Sequence, residues 1–244
     1  MGRLEDKVAI VTGGASGIGE AIVRLFAKEG AKVVSVDLDS EKGAALENEL
    51  KEELSVQFMQ GDVADEARVA EIFKEVIATY GQVDILINNA GVNTYIPSEE
   101  RPYEDFKWTV DINLNSMFLW SQHAVKDMLE KEGGIIVNTA SMNGVRTVGG
   151  NAAYDASKAA VIQLTRSMAQ EYAARNIRIN AVSPGIVKTP MVTDETIEAM
   201  VPTIPMRRPA ELEEVAKAFL FFCTDESSYI TGQNLAVDGG SLTQ

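Results

Sequence analysis

Three residues in the second half of the chain have side chains suited to moving a proton: Ser141, Tyr154 and Lys158. Tyr154 and Lys158 are four residues apart, a spacing that puts both on one helix face with Cβ atoms about 6 Å apart. A lysine charge at about 4 Å, in an effective dielectric of about 20, contributes about 4 kcal/mol, or about three pKa units of a phenol. The pattern predicts that Lys158 brings the pKa of Tyr154 toward neutral, making it a general acid and base.

A glycine-rich loop near the amino terminus suggests what the proton transfer accompanies. The loop Thr12–Gly19 follows a β-branched run and leads into a helical pattern, with glycines at 13, 17 and 19. Such a loop allows a tight turn, close approach of the backbone to a pyrophosphate, and free N–H groups at a helix N-terminus. A plain strand-to-helix turn does not need three glycines and Ser16. Together with the proton-transfer residues, the loop predicts an oxidoreductase with a dinucleotide cofactor.

One carboxylate indicates which nicotinamide cofactor is used. Asp37 ends the second predicted strand, where a carboxylate accepts hydrogen bonds from the adenosine ribose hydroxyls. The same group would repel a 2′-phosphate, and its neighbour Leu38 offers no cation. Asp37 could instead cap the next helix, although Asp39 and Ser40 are better placed for that role. The sequence predicts NAD rather than NADP.

Polar residues and glycines also follow the third and fourth predicted strands. Asp62 and Val63 come after the third strand, and Asn89 and Gly91 after the fourth. The carboxyl ends of parallel strands face the cofactor crevice in a sheet of this kind. We therefore expect Asp62 and Val63 to hold the adenine, and Asn89 and Gly91 to let the backbone pass beside its ribose.

The elements that position these residues alternate between strand and helix along the whole chain. The apolar strand candidates are Lys7–Val11, Lys32–Val36, Val56–Met59, Asp84–Ile87, Gly134–Asn138, Arg178–Val182 and Asn234–Val237. Helical patterns begin near Gly17, Ser40, Asp65, Asp105, Tyr154 and Glu211. Strands that are apolar on both faces are typical of a buried parallel sheet, and right-handed crossovers then give a doubly wound α/β fold. We expect one domain over residues 1–244, with a substrate loop or lid at about 183–209.

Composition excludes several classes of protein. The formal charge of −14 argues against nucleic acid and anionic membranes as partners. No apolar run approaches the roughly 18 residues that a membrane span requires. A single histidine, His123, and a single cysteine, Cys223, argue against a metal site and fit a cytoplasmic protein without disulfides.

The motifs as a set resemble the short-chain dehydrogenase/reductase family, along essentially the whole chain. The residues that carry the resemblance are Thr12–Gly19, Asn88–Gly91, Asn113, Ser141, Tyr154, Lys158, Pro184, Gly185, Asp238, Gly239 and Gly240. The chain looks most like the branch with 3-oxoacyl-carrier-protein reductases and sugar, polyol and steroid alcohol dehydrogenases. The resemblance implies a Rossmann-type sheet of seven strands in the order 3-2-1-4-5-6-7 and a homotetramer. Its main interface would involve the helices Asp105–Glu130 and Tyr154–Arg175.

The same resemblance implies roles for individual residues. Tyr154 would exchange a proton with the substrate oxygen, Ser141 would hydrogen-bond that oxygen, and Lys158 would also hold the nicotinamide ribose. Asn113 resembles the fourth catalytic residue, which positions a water leading to the lysine, with Asn115 as a competing candidate. The implied cofactor contacts are Gly13, Ser16, Gly17, Ile18, Gly19, Asp37, Asp62, Val63, Asn89, Gly91, Tyr154, Lys158, Val187 and Thr189. The implied substrate contacts are Ser141, Asn93, Tyr95, Met142, Asn143, Val145, Asn151, Met191 and Met206.

These observations predict an NAD-dependent enzyme that transfers hydride between the cofactor and a secondary alcohol or ketone of small or medium size. The alternative within the class is a reductase of 3-oxoacyl thioesters, whose acidic carrier would need a basic patch near the pocket. A non-catalytic nucleotide-sensing or scaffold protein is a third reading. It would be favoured by the loss of Tyr154 or Lys158, and both are present.

Overall fold

A computed structural model describes residues 2–147 and 149–243; Met1, Val148 and Gln244 of the predicted 1–244 span lie outside the described residues. Seven parallel strands form one sheet in the order β3-β2-β1-β4-β5-β6-β7, which confirms the predicted fold class and strand order. The strands are β1 Val8–Thr12, β2 Lys32–Asp37, β3 Val56–Gln60, β4 Ile85–Asn88, β5 Gly134–Thr139, β6 Ile177–Pro184 and β7 Asn234–Val237. Each lies within two residues of its predicted bounds.

Helices cover both faces of this sheet. They are α1 Gly17–Lys28, α2 Ser40–Leu50, α3 Glu66–Tyr80, α4 Tyr103–Val110, α5 Ser116–Glu130, α6 Ala152–Tyr172, α7 Asp194–Met200 and α8 Leu212–Cys223. Alternate residues of the strands serve the two layers: Ala9 and Val11 pack with α1 and α8, whereas Val8 and Ile10 pack with α3 and α5. Because both faces are covered, the strands are predominantly apolar, as their sequences predicted. Cys223 is buried in the α8 layer with a free thiol.

Local signals explain where individual helices begin and end. The carboxylate of Asp65 accepts hydrogen bonds from the backbone N–H groups of Ala67 (3.0 Å) and Arg68 (3.1 Å), so α3 begins after it. The helix ends at Gly81, whose φ of 85° is the left-handed conformation that glycine adopts without strain. Among the described residues, no helix is both long and apolar enough to cross a membrane.

The long helix predicted over Asp105–Glu130 is confirmed; it begins at Tyr103 and contains a π turn. Between α4 and α5 the chain forms a five-residue π-helix, Asp111–Asn115. Asn113 lies in this turn, accepts a hydrogen bond from Val92 N (2.8 Å) and donates one to Val92 O (2.9 Å). Such π turns are rare, occur mostly within α-helices and are frequent at functional sites.

The segment 183–209, predicted to be irregular, contains a helix. β6 continues to Pro184, and α7 begins after Thr193, whose hydroxyl accepts a hydrogen bond from Thr196 N (3.2 Å). Acidic Asp194 and Glu195 in the first turn suit the positive end of the helix dipole. The prolines on either side of this short helix interrupt the helical pattern of the sequence, so the pattern did not predict it. The remainder of the segment passes over the carboxyl ends of the strands.

Candidate active site

The carboxyl ends of the strands border a cavity of about 600 Å³. Segments that follow β1 to β6 all contribute to its wall. In open α/β sheets, ligands bind in this crevice beyond the carboxyl ends of the strands. The predicted site residues on its wall are Gly13, Ser16, Gly17, Ile18, Asp37, Asp62, Val63, Asn89, Gly91, Asn93, Ser141, Tyr154, Lys158, Val187, Thr189 and Met191.

The glycine loop forms a cradle that side chains would fill. Gly13 and Gly17 have φ values of 65° and 56°, and a Cβ on Gly13 would lie 2.8 Å from Ala90 Cα. Gly19 lies beneath the loop, off the cavity wall, and a Cβ there would come within 1.9 Å of Gly13 O. Ser16 precedes α1 without a side-chain capping bond, which leaves the first N–H groups of the helix available to an anion. The cradle therefore fits a dinucleotide diphosphate.

Thr12 and Asn89 fix this cradle to the end of β4. The Thr12 hydroxyl accepts hydrogen bonds from Asn89 N (3.0 Å) and Ala90 N (3.2 Å). The Asn89 amide in turn donates to Thr12 O and Gly13 O, each at 3.1 Å. Asn89 thus lines the cavity and also holds the loop opposite. Sequence reasoning missed the part played by Thr12; its signal was a hydroxyl at the last position of a buried strand.

Asp37 lies at the end of β2, beside the glycine loop. One carboxylate oxygen accepts a hydrogen bond from Ala15 N (3.0 Å) and the other from Asp39 N (3.1 Å). The following helix is capped by Asp39, which accepts from Lys42 N at 3.0 Å. The alternative role of Asp37 as a helix cap is therefore not adopted. Its charge stands on the cavity wall next to Leu38.

Tyr154, Lys158 and Ser141 share one wall of the cavity. The Lys158 ammonium nitrogen lies 5.7 Å from the centre of the Tyr154 ring and donates a hydrogen bond to Thr139 O (2.7 Å). The Ser141 hydroxyl accepts a hydrogen bond from Asn143 N (3.1 Å), which fixes the turn after β5. Thr139 is a further residue that sequence reasoning missed, because its contribution is a backbone carbonyl and leaves no trace in residue type.

Burial sets the protonation of this cluster. It raises the pKa of Tyr154 to about 12, and a hydrogen bond with Ser141 opposes that rise. Burial also lowers the pKa of Lys158 to about 7. The four-residue spacing predicted a phenol pKa near neutral, but the pKa of Tyr154 is raised because burial disfavours the charged phenolate. The chain's own residues therefore do not by themselves ionise the tyrosine.

Asn113 supports the site from behind its wall. It is fully buried, and its amide donates to Ser157 Oγ (3.2 Å) as well as holding Val92. A Cβ added to Gly91 would meet Asn113 Oδ1 at 3.3 Å, so the amide lies directly behind that glycine. The competing candidate Asn115 donates instead to Asp111 at 2.7 Å on an exposed face. Of the two, only Asn113 is next to the site.

Six predicted substrate residues lie off the wall of this cavity: Tyr95, Met142, Asn143, Val145, Asn151 and Met206. The amide of Asn143 is already bonded to Asp155 (2.9 Å), and Asn151 is buried with no hydrogen-bond partner for its amide among the described residues. Tyr95, Val145 and Met206 are exposed. Met191, which is on the cavity wall, is also exposed.

Known proteins resemble this chain along nearly its whole length. A family profile described as enoyl-(acyl carrier protein) reductase matches residues 13–241. The 3-oxoacyl-(acyl-carrier-protein) reductase of Thermotoga maritima is 39% identical over 98% of this chain and 98% of that protein. A 3alpha-hydroxysteroid dehydrogenase of Mediterraneibacter gnavus is 40% identical over 98% of each chain. The crystal structure of a short-chain type dehydrogenase/reductase from Mycobacterium marinum has a TM-score of 0.95 at 31% identity, covering 99% of this chain and 97% of that one.

These relationships agree with the architecture and with the cradle at the start of α1. The predicted family and sheet order are confirmed, and the chain is an oxidoreductase with a nicotinamide dinucleotide cofactor. The chain belongs to the short-chain dehydrogenase/reductase family.

Proposed function

We propose that this protein transfers hydride between NAD(H) and a secondary alcohol or ketone of small or medium size. The observation that carries the proposal is the composition of one cavity. Ser141, Tyr154 and Lys158 share its wall with the glycine cradle and with Asp37. Proton-transfer groups and dinucleotide-binding groups thus face one space. A non-catalytic nucleotide-binding protein would have no need of the first set.

In this proposal the chain supplies position and a proton. A nicotinamide held by Val187, Thr189 and Lys158 would supply the hydride chemistry. Ser141 hydrogen-bonds the substrate oxygen through its hydroxyl and holds it beside Tyr154. As the phenolate, Tyr154 takes the proton from the alcohol and becomes the phenol; in the reverse direction the phenol gives this proton to the oxygen of the ketone and becomes the phenolate. Lys158, when protonated, lowers the cost of the phenolate and donates to the nicotinamide ribose hydroxyls.

The remaining cofactor contacts follow from neighbours in the structure. A Cβ on Gly17 would lie 3.4 Å from the Thr189 side chain, so the diphosphate cradle and the segment after β6 face each other closely. We assign the nicotinamide carboxamide to the backbone of Val187, with Thr189 beside it, and the adenine to Asp62 and Val63. All four lie on the cavity wall.

The choice of NAD over NADP rests on the charge at the end of β2. Asp37 is fixed by two backbone N–H groups and keeps its carboxylate on the wall. A 2′-phosphate placed there would meet a like charge, whereas a ribose hydroxyl would donate a hydrogen bond to it. Leu38 is exposed and apolar, so it supplies no compensating cation.

The test is catalytic efficiency with both cofactors across secondary alcohols, polyols, steroids and 3-oxoacyl thioesters, followed by nicotinamide absorbance. We expect NAD-dependent turnover of an alcohol or ketone. We also expect Tyr154→Phe to lose turnover while it binds NAD as the unmodified protein does, because only the proton-transfer group is removed. Turnover of Tyr154→Phe within about tenfold of the unmodified rate, about 1.4 kcal/mol, would falsify the assignment.

A 3-oxoacyl thioester reductase is the second candidate, favoured by the name of the Thermotoga relative. Its acidic carrier needs free cations near the cavity. Arg208 instead forms an ion pair with Glu214 at 2.7 Å, and Arg207 donates to the Pro202 carbonyl. With the net charge of −14, these engaged arginines make the thioester reaction the less favoured proposal.

We further propose a cytoplasmic homotetramer, on the ground of the family relationship. An open groove between α5 and α6 is lined by Leu114, Phe118, Ala160 and Leu164, and the Phe118 side chain is 48% exposed. Met117 and Trp120 of the same helix pack inside the subunit, so they are not part of the proposed interface. The single cysteine supports the cellular compartment.

A further inference from the structure

The segment from Val92 to Ile96 is held at every second residue. Asn113 binds both backbone groups of Val92, at 2.8 Å and 2.9 Å. Arg101 donates to the carbonyls of Thr94 (2.8 Å) and Ile96 (3.2 Å). Residues 92, 94 and 96 are therefore anchored, and the residues between them, Asn93 and Tyr95, are free of this anchoring.

Arg101 has a buried side chain and not a surface one. Its side chain is only 4% exposed, and it forms an ion pair with Asp105 in the first turn of α4. The Thr94 hydroxyl is shared by both: Arg101 donates to it at 2.9 Å, and it donates to Asp105 at 3.0 Å. A planar guanidinium presents several donors in a fixed fork, so one side chain holds two carbonyls and a carboxylate together.

The two unanchored residues lie next to the site. Asn93 lines the cavity, and its side-chain oxygen has no hydrogen-bond partner among the described residues. Tyr95 lies two residues beyond Asn93, between the anchored residues 94 and 96, and its side chain is 60% exposed. An exposed ring two residues from the cavity wall offers an apolar face to a substrate that extends beyond the reacting carbon.

We propose that Arg101 is a positioning residue, which holds Asn93 and Tyr95 as the specificity-determining face of the substrate site. This inference rests on the proposed alcohol dehydrogenase function. Tyr95 contacts the ring or chain of a substrate larger than a three-carbon alcohol, and Arg101 acts only through the segment that carries Tyr95. Small alcohols react without reaching this face.

A double-mutant cycle tests the proposal, with NAD and two probes, cyclohexanol and 2-propanol. Tyr95→Ala and Arg101→Ala should each lower kcat/KM for cyclohexanol by about tenfold, through KM, because each removes the same contact. The double variant should lose no more than about tenfold. For 2-propanol, which is too short to reach this face, each variant should lose a factor of kcat/KM at least about threefold smaller than the factor it loses for cyclohexanol. The dissociation constant for NAD should not change.

Arg178→Ala is the matched control. Arg178 also donates to loop carbonyls, those of Thr224 (3.2 Å) and Ile230 (3.5 Å), but it is not among the residues that line the cavity. We expect Arg178→Ala to change kcat/KM by the same factor for cyclohexanol and for 2-propanol. The proposal is overturned if the double variant loses about a hundredfold, which means independent effects. It is equally overturned if Arg101→Ala lowers kcat for both probes to the same extent.

A second measurement needs no substrate. Chymotryptic cleavage after Tyr95, identified by mass spectrometry, should be slow in the unmodified protein and faster by about tenfold in Arg101→Lys, which retains the charge but lacks the fork. Equal cleavage rates would refute the clamp. If the unmodified enzyme oxidises neither probe nor any other alcohol, the proposed function fails, while the cleavage experiment still decides whether Arg101 holds the segment.

Discussion

At the scale of single residues, Tyr154 and Lys158 show how burial prepares a proton-transfer pair. Desolvation raises the pKa of Tyr154 to about 12 and lowers that of Lys158 to about 7. Both groups therefore favour their neutral forms in the protein alone. A positive charge beside them, such as that of oxidised nicotinamide, would favour the phenolate. The spacing of the two residues predicted that they lie close together. It did not predict their pKa values, because a four-residue spacing carries no information about burial.

The lowered pKa of Lys158 makes a prediction about stability. Between pH 7 and about 10.5 the unfolded chain holds a proton on this lysine that the folded chain has released, so stability from this group rises with pH. Below pH 7 the folded protein holds Lys158 in its charged form, and burial of that charge lowers the free energy of unfolding. Lys158→Met should therefore stabilise the protein against urea at pH 6, and the gain should shrink toward pH 10, while turnover and NAD affinity both fall. A gain that is equal at both values of pH would contradict the assignment.

Asp37 carries the prediction on cofactor choice. In the double variant Asp37→Ser, Leu38→Arg a cation replaces a carboxylate, so we expect the ratio of kcat/KM for NADP over NAD to rise by at least about a hundredfold, about 2.8 kcal/mol. Asp39→Ser is the control, since Asp39 caps α2 and is not among the residues that line the cavity. Equal efficiencies with the two cofactors in the unmodified enzyme would overturn this interpretation of Asp37.

At the scale of elements, the strands and most helices could be read from apolar patterns, whereas the π turn and α7 could not. The periodicity of Asp105–Glu130 remains helical through Asp111–Asn115, because a π turn adds one residue without changing the residue types that a helix favours. What fixes the turn is the pair of hydrogen bonds between Asn113 and Val92. Those partners are distant in sequence, so only the tertiary structure reveals them.

The π turn leads to a matched pair of variants. Asn113→Ala removes the bonds to Val92 and Ser157 behind the site, so turnover should fall by at least about tenfold, about 1.4 kcal/mol. Asn115→Ala, in the same turn, loses only an exposed bond to Asp111 and should retain activity within about threefold. Steady-state kinetics with NAD and one alcohol compares them. If both variants lose activity equally, the π turn as a whole supports the active site, and the specific role assigned to Asn113 is wrong.

At the scale of the whole molecule, the order of the strands in the sheet could be predicted only from the family resemblance. Alternation of strand and helix predicted a parallel doubly wound sheet, because buried strands are apolar on both faces. The order of strands depends on which crossovers reverse direction, and no local pattern encodes that choice. The same holds for the substrate side, where the resemblance proposed nine residues and only Ser141, Asn93 and Met191 reach the cavity wall.

The assembly can be tested through the groove between α5 and α6. Phe118→Glu places a charge on an exposed apolar position, so it should dissociate the proposed tetramer without unfolding the subunit. Sedimentation velocity at micromolar concentration measures the mass, and circular dichroism checks the fold. Tyr229→Glu, at a fully exposed ring outside the groove, is the control. A stable monomer in the unmodified protein would refute the proposal.

The location of the single cysteine has a practical consequence for spectroscopy. Burial among apolar side chains of the α8 layer raises the pKa of the Cys223 thiol, so very little thiolate is present near neutral pH. Maleimide dyes should therefore leave the native protein almost unlabelled. A cysteine introduced by Met206→Cys, at an exposed position in the segment after α7, would then be the one reactive thiol. Cys223 therefore does not compete for the dye, so a single introduced cysteine can carry a fluorescent label that reports on ligand binding.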